Sequence, residues 1–334
     1  MNELEKLAEF IVDFNLNWVS SEIVDTAKIC VLDSIGAAVG ASRDELIESI
    51  IREYKFYYSK ENQVSIWGRN LKISLFQGIF LNALMAHRLE LDDVHTKSKT
   101  HIGTVVVPTG VCLAQKLTLS GSELLEAIIC GYETMARIGM GFGVSSHRKK
   151  GWHVTSTAGT FGAASVASKL LKLDKEKTAH ALGIAGTQSF GVWAFLEEGA
   201  NSKILHPARA AQSGTEAAIL AKSGMTGPKN ILNAKDGSLF RAMSDEYDLS
   251  LVSKDLGVKY EILNVDTKPY PCCRSTHCVI DSALKLRREY DINIDAIDKV
   301  IVETYHVGWM QCGATEGSRN PTTPMEAKFS TPYT

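Results

Sequence analysis

The sequence predicts a mainly α protein: a large helical domain over residues 1–260, then a smaller α+β unit over residues 261–334. Three observations predict it. Proline is absent before Pro108 and seven of the eight prolines lie at or beyond Pro207, so the first third is free to form long helices. Apolar residues recur at helical spacing through that third. Near residue 258 the pattern changes to short runs of strand-like and helical character.

In chain order, Leu4, Leu7, Ile11 and Phe14 mark the first helix, and Ile23, Ala27, Val31 and Ile35 a second. Leu75, Ile79, Leu84 and Leu89 continue the pattern approximately. Ser122 and Asp174 each precede an apolar periodic segment, which places helix starts near 122 and 174. Residues 157–167 are almost all small; small side chains let helix axes approach closely, so this segment belongs at the centre of the helical domain. A further helix lies between Asn201 and Pro228, ended by Gly224, Gly227 and Pro228. Beyond it, Val258–Val265 reads as extended, Ser275–Glu289 as helix and Val300–Tyr305 as strand.

The 334 residues suffice for a sizeable core, and 45% hydrophobic with 22% charged residues is the composition of a folded globular chain. With 36 Lys+Arg against 38 Asp+Glu, the net charge of −2 provides no field for a nucleic acid, and no such partner is expected. The most apolar stretches, residues 76–86 and 183–196, are shorter than the ~20 residues of a membrane-spanning helix. No membrane association is expected. Seven cysteines, an odd number without small-domain spacing, fit reduced thiols, and the acidic N-terminus is unlike a secretory signal, so a cytoplasmic location is expected.

Four clusters combine charged and imidazole groups away from smooth helical periodicity. The first runs Glu90-Leu91-Asp92-Asp93-Val94-His95 and on to Thr100-His101, at a helix-to-loop change where reactive groups are often presented. In the second, Gly151-Trp152-His153, a histidine precedes a helix N-terminus, whose dipole favours anions. The third opens a helix with Lys203, His206 and Arg209, cations that oppose the dipole unless an anion joins them. The fourth packs Lys268, Cys272, Cys273, Arg274, His277 and Cys278 into a turn. Adjacent cysteines seldom both reach one metal, so a zinc site there is disfavoured and no metal is expected.

Taken in this order, the clusters resemble the MmgE/PrpD family, which includes 2-methylcitrate dehydratase, cis-aconitate decarboxylase and iminodisuccinate epimerase. The similar stretches are HRLELDD with THIG at 87–103, GWHVTSTAGTFGAASVASKLLKLD at 151–174, ALGIAGTQSFG at 181–191, SKILHPARAAQSGTEAAILAKSGMTGP at 202–228, KPYPCCRSTH at 268–277 and AKFSTPY at 327–333. The resemblance implies an all-helical domain with an α+β lid, an active site in the cleft between them, usually a homodimer, and no organic cofactor. It implies a lyase of the 2-methylcitrate dehydratase type, acting on a small di- or tricarboxylate by proton transfer beside a carboxylate. Decarboxylation, epimerisation, or a binding protein that keeps only the fold are the alternatives.

Carried over residue by residue, the resemblance offers Glu90, Asp93, His101, His153, Lys203 and Lys268 as catalytic, and His95, Arg209 and His277 as substrate-binding. Cations in a dry cleft stabilise the charge that builds when a proton leaves carbon next to a carboxylate, which suits Lys203, Lys268 and His153. His101 is the first candidate for proton transfer, with Asp93 orienting it or acting in its place. Two positions depart from the family pattern: Ile102 follows His101 where proline is common, and Glu90 stands where aspartate is frequent. Family members are longer, so the resemblance implies a chain without the C-terminal part, an incomplete lid and exposed apolar faces.

Overall fold

The computed structural model describes residues 1–55 and 63–334. It divides into two compact units, residues 1–192 with 204–267 and residues 193–203 with 268–334. This differs from a single break after residue 260: residues 193–203 go with the C-terminal unit, and 261–267 stay with the first because Val265–Asp266 is hydrogen-bonded to Val94–His95.

The first unit is built from α1 (Glu3–Asp13), α2 (Ser21–Ala41), α3 (Glu45–Lys55), α4 (Leu75–Arg88), α5 (Gly103–Leu117), α6 (Gly121–Gly141), α7 (Val144–Lys149), α8 (Val154–Leu170), α9 (Lys175–Thr187), α10 (Leu205–Lys222) and α11 (Leu239–Met243). Most of these helices follow the apolar periodicity and caps of the sequence. Asp174 caps α9 by accepting from the Lys177 N–H. The start expected near residue 122 is that of α6 at Gly121, with Ser120 rather than Ser122 as the cap, because Glu123 then occupies the third helical position and completes a capping box. No helix among the described residues is long and apolar enough to cross a membrane.

The small-residue helix α8 is buried along almost its whole length and packs against α5, α6, α9 and α10. A Cβ at Gly159 would lie 2.9 Å from Ala210 Cβ, and one at Gly214 would lie 2.2 Å from the Thr160 carbonyl oxygen and 2.6 Å from Ala163 Cβ. Residues 159 and 163 thus meet 210 and 214. The two helices run in the same direction at backbone contact, which sets their first turns side by side.

Two short antiparallel ladders accompany the helices: β1 (Val64–Ser65) with β2 (Lys72–Ile73), and β3 (Val94–His95) with β4 (Val265–Asp266). The extended run expected over Val258–Val265 is mostly turn and 3₁₀ helix. Buried side chains of α6 claim its backbone groups: Arg137 donates to the Lys254 and Lys259 carbonyls (2.6 and 2.7 Å), and Glu133 accepts from the Ile262 N–H (3.0 Å). With those groups satisfied, only Val265–Asp266 remains to form a ladder.

The second unit contains α12 (His277–Glu289), α13 (His306–Cys312), α14 (Glu316–Arg319) and α15 (Pro324–Lys328) around Phe195, Cys273, Cys312, Met325 and Phe329. The helix expected over Ser275–Glu289 is α12. The strand expected over Val300–Tyr305 forms no ladder among the described residues. All six residues are exposed, so no buried face rewards their alternation.

Candidate functional site

The site in the first unit begins at the end of α4. His87 lies in its last turn, and Glu90 then adopts a left-handed backbone (φ 56°), a conformation costing a non-glycine residue roughly 1–2 kcal/mol. The chain then bends at Asp92 and passes through Asp93 into β3, and the two carboxylates are directed to different neighbours.

The Asp92 carboxylate faces the imidazoles. Its Oδ2 lies 3.0 Å from His87 Nδ1 and 2.9 Å from His101 Nδ1. The His101 Nδ1 is also 3.0 Å from the Asp93 carbonyl oxygen, and a carbonyl oxygen only accepts. The hydrogen of neutral His101 is thereby fixed on Nδ1, and Nε2 presents a lone pair, the form needed to take a proton. Thr155 of α8 anchors the same loop by accepting from the His101 N–H at 3.2 Å.

Asp93 turns the other way. Its carboxylate accepts from the Gly103 N–H (2.9 Å) and bonds the Tyr132 hydroxyl (2.5 Å), while its own N–H donates to Asp33 (3.0 Å). Burial, with the nearby Asp33 charge, pushes its pKa up to about 7. The expectation that Asp93 orients His101 is corrected: its carbonyl touches the ring, and the orienting carboxylate is that of Asp92.

His153 is the N-cap residue of α8, but its side chain makes no cap hydrogen bond. Its Nδ1 lies 2.8 Å from Nδ1 of His206, in the first turn of α10. The His87 ring lies 4.8 Å from that of His101 and 6.5 Å from that of His153, centroid to centroid. Four of the nine histidines, with Asp92, thus converge from the end of α4, one loop, the start of α8 and the start of α10. Glu90 is buried beside them, its Oε1 3.7 Å from His87 Nε2.

Two expected binding residues of this unit lie elsewhere. His95 is a clamp: Nδ1 accepts from Ser98, and Nε2 bonds Glu261 at 3.1 Å. That hydrogen bond holds Glu261 well below the usual carboxylate range, at about 2. Arg209 is exposed, with its guanidinium over the Phe80 ring and a hydrogen bond to Gln212.

In the second unit, Lys203 and Lys268 are both buried, and Lys203 Nζ sits 5.3 Å over the Phe329 ring. His277 opens α12, edge-on to Tyr270, with Nε2 3.4 Å from the Cys272 carbonyl oxygen. Burial lowers its pKa, and the Lys268 and Arg274 charges act in the same direction. The Cys272 thiol lies 3.1 Å from Thr276 Oγ1 and that of Cys273 3.9 Å from the Gln311 side-chain oxygen.

Among the described residues, His87, Asp92 and His101 form the one group with metal-ligand spacing, their ligand atoms within 4.8 Å of one another. His101 Nδ1 also lies 3.0 Å from the Asp93 carbonyl oxygen, so a cation bound through that nitrogen would have to displace its hydrogen. The donor set therefore suits a hydrogen-bonded relay better than a metal.

Missing from the expected set were His87, Asp92 and His206. The bend at Asp92, not a pattern of residues, separates it from Asp93. The other two are set by helix packing.

The MmgE/PrpD N-terminal domain model matches residues 5–252 and the MmgE/PrpD C-terminal domain model residues 270–334. The chain belongs to the MmgE/PrpD family. Curated relatives include a cis-aconitate decarboxylase-like protein of Aspergillus oryzae, 27% identical over 302 residues, covering 86% of this chain and 62% of the relative. The cis-aconitate decarboxylase of Homo sapiens is 28% identical over 291 residues (85% and 59%), and that of Aspergillus terreus 26% over 313 residues (87% and 64%). This MmgE/PrpD chain therefore spans less than two thirds of the length of each of these relatives.

Proposed function

We propose that the chain acts as a lyase on a small di- or tricarboxylate, with decarboxylation preferred to the dehydration the motifs first suggested. The observation that carries the reading is the Asp92 carboxylate bridging His87 and His101 in a buried cluster, which leaves the His101 Nε2 to take up a proton and, as part of an imidazolium that Asp92 stabilises, to give it to carbon. The printed names of the relatives favour decarboxylation. In that reaction a carboxylate leaves as CO₂, its bonding pair moves into the adjoining unsaturated skeleton, and one proton from an imidazolium completes the product. Lys203 and Lys268 are assigned to binding substrate carboxylates, His101 and His153 to proton transfer, and Glu90 and His277 to substrate contact. Asp93 positions the loop.

The test is incubation with cis-aconitate, 2-methylcitrate and iminodisuccinate, followed by NMR. Loss of CO₂ from cis-aconitate is the expected outcome. Water loss from 2-methylcitrate or epimerisation of iminodisuccinate alone would reassign the reaction, and turnover of none would leave the binding-protein reading.

A homodimer fits one surface of the first unit. Ile29, Leu32, Gly36 and Val39 make an exposed apolar stripe on α2, with Leu32 72% exposed. Antiparallel pairing of α2 with its copy about this stripe would set the acidic Glu22 and Asp25 opposite the partner copy's equivalent of the exposed Arg43. Leu32→Glu should convert the dimer to monomer in light scattering. A cytoplasmic location suits the odd set of seven cysteines.

A further inference from the structure

We propose that His206 is a positioning residue for His153: it determines which His153 nitrogen carries hydrogen and receives the proton that His153 must pass on. The inference rests on reading His153 as a proton-transfer group. The 2.8 Å between the two Nδ1 atoms is a hydrogen-bond distance, and an N–H···N bond needs one donor and one acceptor. Only one of the two Nδ1 atoms therefore carries hydrogen.

With that hydrogen on His206, neutral His153 bears its own on Nε2 and donates. With it on His153, Nε2 holds a lone pair and takes a proton. When Nε2 accepts a proton from substrate, the Nδ1–H bond of His153 breaks and an Nδ1–H bond forms on His206. His153 returns to neutrality as the donor tautomer, and the positive charge rests on His206. The same steps in reverse deliver a proton to carbon.

The surroundings hold the pair in register. The parallel contact of α8 with α10 sets residues 153 and 206 side by side. Gly191 accepts from the His153 N–H at 3.0 Å and has φ +97°; a Cβ there would come 3.3 Å from His206 Nδ1 and 2.1 Å from Ser156 Oγ. The Phe190 ring meets His206 edge-on at 6.1 Å. Titratable groups near His153 in this unit include His87 and, through it, Glu90, Asp92 and His101.

The test uses the 334-residue chain labelled with ¹⁵N. A coupling across the hydrogen bond between the two Nδ1 nuclei is expected in the unaltered protein, and its absence overturns the proposal without any variant. In long-range imidazole spectra, His206→Phe should change the His153 tautomer, whereas His206→Asn, which keeps a hydrogen-bonding group, should largely restore it. An unchanged His153 spectrum in the phenylalanine variant overturns the proposal. On a substrate that is turned over, His206→Phe should lower kcat roughly 10- to 100-fold and move KM less than about 3-fold. If no polycarboxylate reacts, the proposed activity fails, and the tautomer measurement still decides the role of His206.

Discussion

The two units carry different chemistry on different supports. In the first, imidazoles and carboxylates are held by buried partners: Asp92 between two rings, Thr155 on the loop backbone, His206 on His153. In the second, the buried Lys203 stands on a short 3₁₀ turn over Phe329 and the buried Lys268 on a loop, with His277 at the first residue of α12 and a core of only a few side chains behind them. Moving a proton demands fixed distances, whereas holding an anion demands only charge within reach. On the roles proposed above, each kind of residue sits on the kind of support its task requires.

The comparison is broken most directly at Asp92. Asp92→Asn removes the charge that orients His87 and His101, and kcat on the substrate identified above should fall about 10²- to 10⁴-fold with KM little changed. A rise in KM at constant kcat would instead assign Asp92 to binding. Next in size, hydrogen exchange should find α12 amides exchanging roughly 10²-fold faster than those of α8, since α8 is buried almost throughout while α12 is largely exposed. Equal protection would mean that the units unfold together. Lys268→Ala should raise KM about 10- to 100-fold, the loss of a charge-assisted hydrogen bond, and leave the acid–base limbs of the kcat profile in place.

The smallest effect is on stability. Asp93 binds its proton more tightly in the folded chain, with a pKa of about 7 against 3.8, so between these values the native state holds the extra proton. Stability from this group is fully present below about pH 4 and is lost as pH rises to about 7. Asp93→Asn should match the parent at pH 4.5 and melt about 2–5 °C higher at pH 8. A variant that melts lower at both pH values would show that the Gly103 and Tyr132 bonds need the carboxylate itself.

Much of this organisation was legible in the sequence. α1, α2 and α10 declare themselves by periodicity or stop signals, α9 by its cap, and α8 by small residues that the contacts of Gly159 and Gly214 explain. His101 and His153 were legible because each stands at a break between loop and helix. The run 258–265 misled because the partners of its backbone, Glu133 and Arg137, lie more than a hundred residues away in α6. His95 and Arg209 stand in the motifs that carry the resemblance, and their partners, Ser98 and Glu261 for one and Phe80 and Gln212 for the other, depend on packing that the motifs do not show. His206 sits in a helix that the sequence reveals, but its neighbour depends on how that helix crosses α8.

The glycine and alanine seam between α8 and α10 acts as a ruler. Each residue of an α-helix advances 1.5 Å and turns 100°, so a slip of one position along the seam would swing His206 away from His153 while costing little apolar burial. Bulk added midway, at Gly159 or Gly214, would then be felt at the helix starts as altered proton traffic. A library screened only for expression and folding would pass over such changes.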